Sequence, residues 1–408
     1  MSKVPSPFAS FHSLRLQLQE EFQEELYNIL NWWIKHMPDQ EYGGFIGRVD
    51  GRGTAFPTAD KGIILNTRLL WTFSTAAEYT KDVIQRNMAH RAYEYICTFF
   101  WDELEGGVFW MLDHKGNPID GQKQIYAQAF AIYAFAAYYK LTGNKDALDK
   151  ATELFWLIER YSLDTTRNGY LSAFARNWTP MGDIRLSEKD ANEAKIMNTH
   201  LHVLEAYATF YHVHPFVALG DALENCLTIF EKYFFQKDSR SLQIYFDENW
   251  NPKGDHISYG HNIEASWLLQ EAAEILGRKK ISNRIAPICL AMAEAVYEEA
   301  LEGSGAINYE ATPEKGIIDY DRHWWVQAEG VIGFWNAFEC TNNPAYVEAS
   351  VNSWTFIKQQ LIDKTHGEWH WRTDKSGQVI FSENKAGPWK APYHNVRMCI
   401  EMLNRLAS

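Results

Sequence analysis

The sequence predicts an all-α chain, an (α/α)6 barrel of about twelve helices with short β-hairpins at one rim. Three observations lead there. Glycine-centred turn segments recur at a period of about 62 residues, marked by Gly44, Gly107 and Gly169 and again by Gly305 and Gly367. A fixed period is the signature of a repeat architecture. Helical text fills the intervals, and no Pro- or Ser-rich linker divides the 408 residues, so 1–408 reads as one domain. Closure into a ring, rather than an open solenoid, is the expectation for six such units.

The hairpins come first in each unit. The copies are Glu41-Tyr42-Gly43-Gly44-Phe45, Glu105-Gly106-Gly107-Val108-Phe109 and Asn168-Gly169-Tyr170-Leu171. Leu242-Gln243-Ile244-Tyr245-Phe246 is a degenerate fourth. Gly305-Ala306-Ile307-Asn308-Tyr309 and Gly367-Glu368-Trp369-His370-Trp371 complete the set. Most are followed by a second turn such as Asp50-Gly51 or Asn251-Pro252. Gly, a short β-prone run and another turn predict a hairpin.

The helices are of two kinds. Residues 14–36 place Leu, Phe, Ile and Trp at 3–4 spacing on a charged background, as an outer helix does. Residues 65–79, 128–141, 201–211, 263–276 and 326–338 are richer in small and apolar side chains. Helices apolar on most sides are buried, so these form the inner ring.

Composition narrows the function classes. The net charge of −13 disfavours nucleic acid and anionic membranes as partners. Five scattered cysteines with no C-x-x-C predict neither a disulfide framework nor a zinc site. Residues 1–20 carry no apolar signal core, and no run approaches the ~18 apolar residues of a membrane span. A cytoplasmic protein, monomeric or weakly homo-oligomeric, is expected. The 16 Trp include many beside Gly, His, Asn and Arg, where amphipathic rings stack on sugars as readily as in cores.

Chemistry collects where each inner helix opens. The openings are Leu65-Asn66-Thr67-Arg68, Ile125-Tyr126-Ala127-Gln128, Met197-Asn198-Thr199-His200, Tyr259-Gly260-His261-Asn262-Ile263-Glu264, Arg322-His323-Trp324-Trp325 and Pro392-Tyr393-His394-Asn395. In a closed barrel they converge at one mouth. Four histidines, His200, His261, His323 and His394, fall in them, with Arg68 at a fifth. Zinc is disfavoured because His261/Glu264 and His200/His202 do not form H-E-x-x-H. Glycoside hydrolysis needs two carboxylates, and the openings supply Glu264 alone, with Glu329 a turn further on. No nucleotide-binding motif occurs, and no metal or cofactor is expected.

Proton transfer suits these residues. A neutral imidazole can act as base while a charged one acts as acid. Two histidines on opposite faces of a carbon invert it. That carbon must adjoin a carbonyl, and even then it is a weaker acid than imidazolium by about ten pKa units, on the order of 14 kcal/mol. Arg68 and His200 are the donors available to hold the enediolate.

These openings resemble the N-acylglucosamine 2-epimerase superfamily, most closely its cellobiose 2-epimerase and mannose 2-epimerase branches. The matching text is Leu65-Asn66-Thr67-Arg68-Leu69-Leu70-Trp71, Met197-Asn198-Thr199-His200-Leu201-His202, Gly260-His261-Asn262-Ile263-Glu264, Asp321-Arg322-His323-Trp324-Trp325 and Trp389-Lys390-Ala391-Pro392-Tyr393-His394-Asn395. The resemblance spans nearly the whole chain and implies an (α/α)6 barrel. It implies His261 and His394 as the acid/base pair at C2 of a free aldose. It further implies His200 and Arg68 on the carbonyl oxygen and Glu264 as a carboxylate that orients a histidine. Asn198, Tyr126, Trp324 and Trp389 correspond to sugar contacts.

A second sugar unit needs a platform, for which Tyr309 and Glu310 are candidates. Asp255, in the loop before His261, could instead close over a monosaccharide. Free mannose/glucose and cellobiose-like disaccharides stand level at this point. An aldose–ketose isomerase and a non-catalytic carbohydrate-binding barrel remain as alternatives.

Overall fold

The difference between the two helix types is visible in one pair. In α4 (Ile125–Thr142) every residue from Ile125 to Tyr138 is buried. In α5 (Lys145–Tyr161) only Ala147, Leu148, Ala151, Leu154, Phe155 and Ile158 are, a stripe at 3–4 spacing. A helix buried on all sides belongs inside, and one with a stripe belongs outside. The computed structural model describes residues 7–188 and 190–407 and follows this rule throughout. The inner helices are α2 (Ile63–Thr80), α4, α6 (Met197–Val213), α8 (Tyr259–Leu276), α10 (Trp324–Thr341) and α12 (Tyr393–Ala407). The outer ones are α1 (Pro7–His36), α3 (Val83–Tyr95), α5, α7 (Val217–Ile229), α9 (Lys279–Glu299) and α11 (Pro344–Phe356).

The inner helices pack in sequence, and α12 returns to pack on α2. The ring is therefore closed, as an (α/α)6 barrel, and α1 covers α12 from outside. At one end the inner-to-outer connections are tight. Lys81, Gly143, Gly277 and Asn342 each end an inner helix in the left-handed conformation. Asp82, Asn144 and Asn343 then cap the next helix through their side chains. No helix among the described residues is long and apolar enough to cross a membrane.

The other end carries the hairpins, and each is stitched to its neighbour. Lys61–Gly62 pairs with Met111–Leu112, Lys123–Gln124 with Ala173–Phe174, and Lys195–Ile196 with Tyr245–Phe246. Ile257–Ser258 pairs with Glu310–Ala311, and Arg322–His323 with Arg372–Thr373. A bridge between Val49 and Ala386 completes the circuit. Every unit thus hydrogen-bonds across to the next around the mouth.

Ion pairs whose cations are buried anchor the stitching. Lys61 pairs with Asp39 at 2.7 Å, Lys123 with Asp102 at 3.0 Å, Lys195 with Asp164 at 3.1 Å and Arg322 with Glu302 at 2.8 Å. In the sixth unit Lys390 pairs with Glu368 at 2.9 Å. The fourth unit has Ile257 where the others have the cation, which matches its degenerate hairpin.

Candidate active site

The residues that line the mouth emerge from one count. Each short strand before an inner helix starts at Lys61, Lys123, Lys195, Ile257 or Arg322, and Lys390 holds the same place before α12. The sixth residue of each series is Asn66, Gln128, His200, Asn262, Gln327 or Asn395. The eighth is Arg68, Phe130, His202, Glu264, Glu329 or Arg397. Two residues along a helix turn by about 200°, so the sixth and eighth positions face opposite ways.

In the second to fifth series the sixth position clamps the hairpin. The Val108 amide donates to Gln128 at 2.8 Å and Gln128 donates back to the Val108 carbonyl at 3.0 Å. Gln327 makes the same pair of bonds to Ile307, both 2.8 Å. Asn262 accepts from the Leu242 amide at 3.0 Å. His200 is the imidazole version of this clamp. Its Nδ1 lies 2.8 Å from the Ile196 carbonyl, which can only accept, so Nδ1 carries the proton. Nε2 then accepts from the Tyr170 amide at 2.8 Å. Burial pushes this imidazole down to about 4. The expectation that His200 polarises a substrate carbonyl is corrected: both its nitrogens are committed to the backbone.

The eighth position faces the lumen, and there the functional groups meet. His202 is 3% exposed. Its Nδ1 is 2.8 Å from Glu205, and its ring lies edge-on to Tyr126 at 4.9 Å. Arg68 donates to the Tyr126 hydroxyl at 2.9 Å and to the Trp389 carbonyl at 2.6 Å, while its buried Nε has no partner among the described residues. His202, Arg68, Tyr126 and Trp389 thus form one wall. Asn198 sits one helical turn before His202, with its buried Oδ1 unpartnered among the described residues.

The opposing wall holds the expected acid/base pair. His261 and His394, each fifth in its series, both pack on Trp325, at ring-centroid distances of 5.0 and 5.6 Å. Each has its Nδ1 held: His261 by Ser258 Oγ at 2.7 Å, His394 by Glu329 at 2.7 Å. Neither Nε2 has a partner among the described residues. Burial, then the charges of Arg397 and Arg68, keep His394 well below the usual imidazole range. Burial, then His202, push His261 down to about 3. Both imidazoles are therefore neutral at pH 7 before substrate enters.

Glu264 lies in this cluster but does not take the role expected of it. Its carboxylate binds Arg397 at 2.7 Å and stands 3.9 Å from His394, whereas Glu329 makes the hydrogen bond. Burial and the Glu329 charge push Glu264 up to about 7. Burial also raises Glu205, but the Arg397 charge and His202 outweigh it and hold that carboxyl at about 2. Glu264, Glu329 and His394 bring donor atoms close enough to suggest a cation site. The Arg397 guanidinium already donates to both of these carboxylates.

The remaining expected contacts are spread. Trp324 is edge-on to Trp371 and 6.2 Å from His394, with Nε1 unpartnered among the described residues. Tyr309 stacks on His323 at 4.1 Å and meets the edge of Trp325 at 6.2 Å. Glu310 lies beyond it at the rim, 3.9 Å from His256. Asp255 is exposed in its loop and makes no bond to the cluster. Reading the openings as motifs missed the parts played by His202, Glu205, Trp325 and Arg397. The register finds His202 and Arg397, which both stand eighth in their series, whereas Glu205 and Trp325 stand at other places.

A family model described as N-acylglucosamine 2-epimerase (GlcNAc 2-epimerase) matches residues 44–398. The chain belongs to this N-acylglucosamine 2-epimerase family. It is a carbohydrate epimerase, in the isomerase class. Among family relatives, a cellobiose 2-epimerase of Bacteroides fragilis is 45% identical over 95% of this chain and 98% of its own. The solved cellobiose 2-epimerase from Bacillus thermoamylovorans B4167 superposes with a TM-score of 0.92 at 38% identity, covering 95% of this chain and 99% of that one. A D-mannose isomerase of Marinomonas mediterranea is 22% identical over 89% of this chain and 92% of its own.

Proposed function

We propose that residues 1–408 act as one catalytic unit, a sugar 2-epimerase that interconverts glucose and mannose configuration at C2 by proton transfer between His261 and His394. The observation that carries this reading is the arrangement of two neutral imidazoles on one indole, each with Nδ1 anchored and Nε2 unpartnered among the described residues. The preferred substrate is the reducing-end glucose unit of a cellobiose-like β-1,4 disaccharide, because relatives named for cellobiose are 36–45% identical over nearly their whole length. Free glucose and mannose are the smaller members of the same class.

The opened aldehyde has its oxygen bound by Arg68 and His202, which lower the cost of the enediolate. One histidine removes the C2 proton through Nε2. The C2–C3 bond turns, and the other histidine, charged by a proton taken from solvent, returns it to the opposite face while the first releases its proton to solvent. Glu329 stabilises the charge that His394 gains, and Ser258 does the same more weakly for His261. Return of the proton to C1 gives a ketose instead. The likeness to D-mannose isomerase favours that aldose–ketose conversion as the second reading.

The test is NMR of cellobiose, glucose and mannose, each incubated with the protein in heavy water. Deuterium should enter C2 of the epimer, with cellobiose turned over fastest. Epimer formed without label would exclude the scheme, and ketose as main product would favour the second reading. His261→Ala and His394→Ala should each lower kcat by ~10²–10⁴.

A further inference from the structure

Beneath the two walls lies a cation that the proton transfer itself does not use. Arg397 is 2% exposed. Its Nη1 donates to Glu205 and to the Tyr393 hydroxyl. Its Nη2 donates to Glu264 at 2.7 Å and to Glu329 at 2.6 Å. One guanidinium therefore joins the carboxylate under His202 to the two under His394.

The bonds around Glu329 bias its charge state. Oε1 receives Arg397 Nη2 and faces His394 Nδ1, and Oε2 receives the Trp267 indole N–H at 3.0 Å. Arg and Trp can only donate. Donors on both oxygens favour the ionised carboxylate, with which His394 donates from Nδ1 and its Nε2 keeps the lone pair. Burial raises the Glu329 carboxyl above its ordinary value, and the Arg397 charge is the largest influence holding it down. Without the guanidinium, a buried Glu329 beside Glu264 takes up a proton. The bond to His394 then reverses, Nε2 becomes protonated, and the base is lost.

We propose that Arg397 is a positioning residue that keeps Glu329 ionised and so sets the tautomer of His394. The proposal rests on His394 being an acid/base at C2. The groups that share this space are Arg68 from α2, Tyr126 and Tyr133 from α4, and His202 and Glu205 from α6. From α8 come His261, Glu264 and Glu271. Glu329 comes from α10, and Tyr393, His394 and Glu401 from α12.

The test is ¹⁵N NMR of histidine-labelled, ligand-free protein at pH 7. In the native chain His394 should show a protonated Nδ1 and an unprotonated Nε2, and in Arg397→Gln the reverse. The acid limb of kcat/KM for C2 exchange should move up by about one pH unit or more in Arg397→Lys. It should move down in Glu264→Gln, where Glu329 no longer competes for the guanidinium. A structural role alone predicts no such opposed shifts. An unchanged tautomer in folded Arg397→Gln would overturn the proposal. If Arg397 variants do not fold, an acid limb that stays put in Glu264→Gln overturns it. A native protein that fails to exchange C2 hydrogen would remove the epimerase reading, while the tautomer measurement would still decide the role of Arg397.

Discussion

His200 and His202 stand two residues apart on α6, and both are buried. One is tied by both nitrogens to the backbone and the other faces the lumen beside Arg68 and Tyr126. The same contrast runs round the ring. In the second to fifth series the sixth position satisfies a hairpin backbone, while the eighth presents a side chain to the cavity. Burial and residue type do not tell the two apart; direction on the helix does.

This contrast can be broken in graded ways. The largest effect belongs to the anchor that fixes the register. Lys61→Met leaves the buried Asp39 carboxylate without its lysine, and should cost ~3–5 kcal/mol of stability in thermal unfolding, without altering kcat of the folded fraction. Next comes His202→Gln, which should lower kcat by ~10²–10³ with little change in Tm. His200→Ala should do the opposite, losing about 1–3 kcal/mol of stability with kcat retained. A His200 variant that folds normally but is inactive would reverse the assignment.

The smallest effect is in pH dependence. The folded protein holds His200 at about 4 against an ordinary 6.5, so the unfolded chain binds its proton more readily. Native stability therefore falls as pH drops from 6.5 towards 4. His200→Asn should show a shallower fall across that window, measured by urea midpoints.

Much of the fold was legible because its signals are local. Glycine turns, the alternation of striped and uniformly apolar helices, and the period between hairpins can all be read within one unit. The stitching of each hairpin to the next unit could not, since Lys123 and Phe174 pair across a distance that no local pattern records. The site was legible in part. His261, His394, Arg68 and Tyr126 stand in distinctive motifs, and the closed ring brings them to one lumen. His200 and His202 are equivalent in the motif as a string, and only the helix face separates them. Glu264 was placed in the right cluster, but its neighbour Glu329 holds the histidine. Arg397 lies in the last helix and meets Glu205 across nearly half the chain, a relation that only the closed ring creates.

The stitched rim has a further consequence for how such a catalyst can change. Each connecting segment across the mouth is clamped by backbone pairing on both flanks. Residues 175–194 run between two such clamps, Ala173–Phe174 and Lys195–Ile196, and residues 113–122 span the equivalent gap one unit earlier with half as many. Insertions and deletions between clamps are absorbed at the surface, where chain length is tolerated. The architecture thereby separates inheritance of the chemistry from variation in what is admitted to it, and segments exchanged between relatives at these seams should retune selectivity while the proton-handling residues keep their positions.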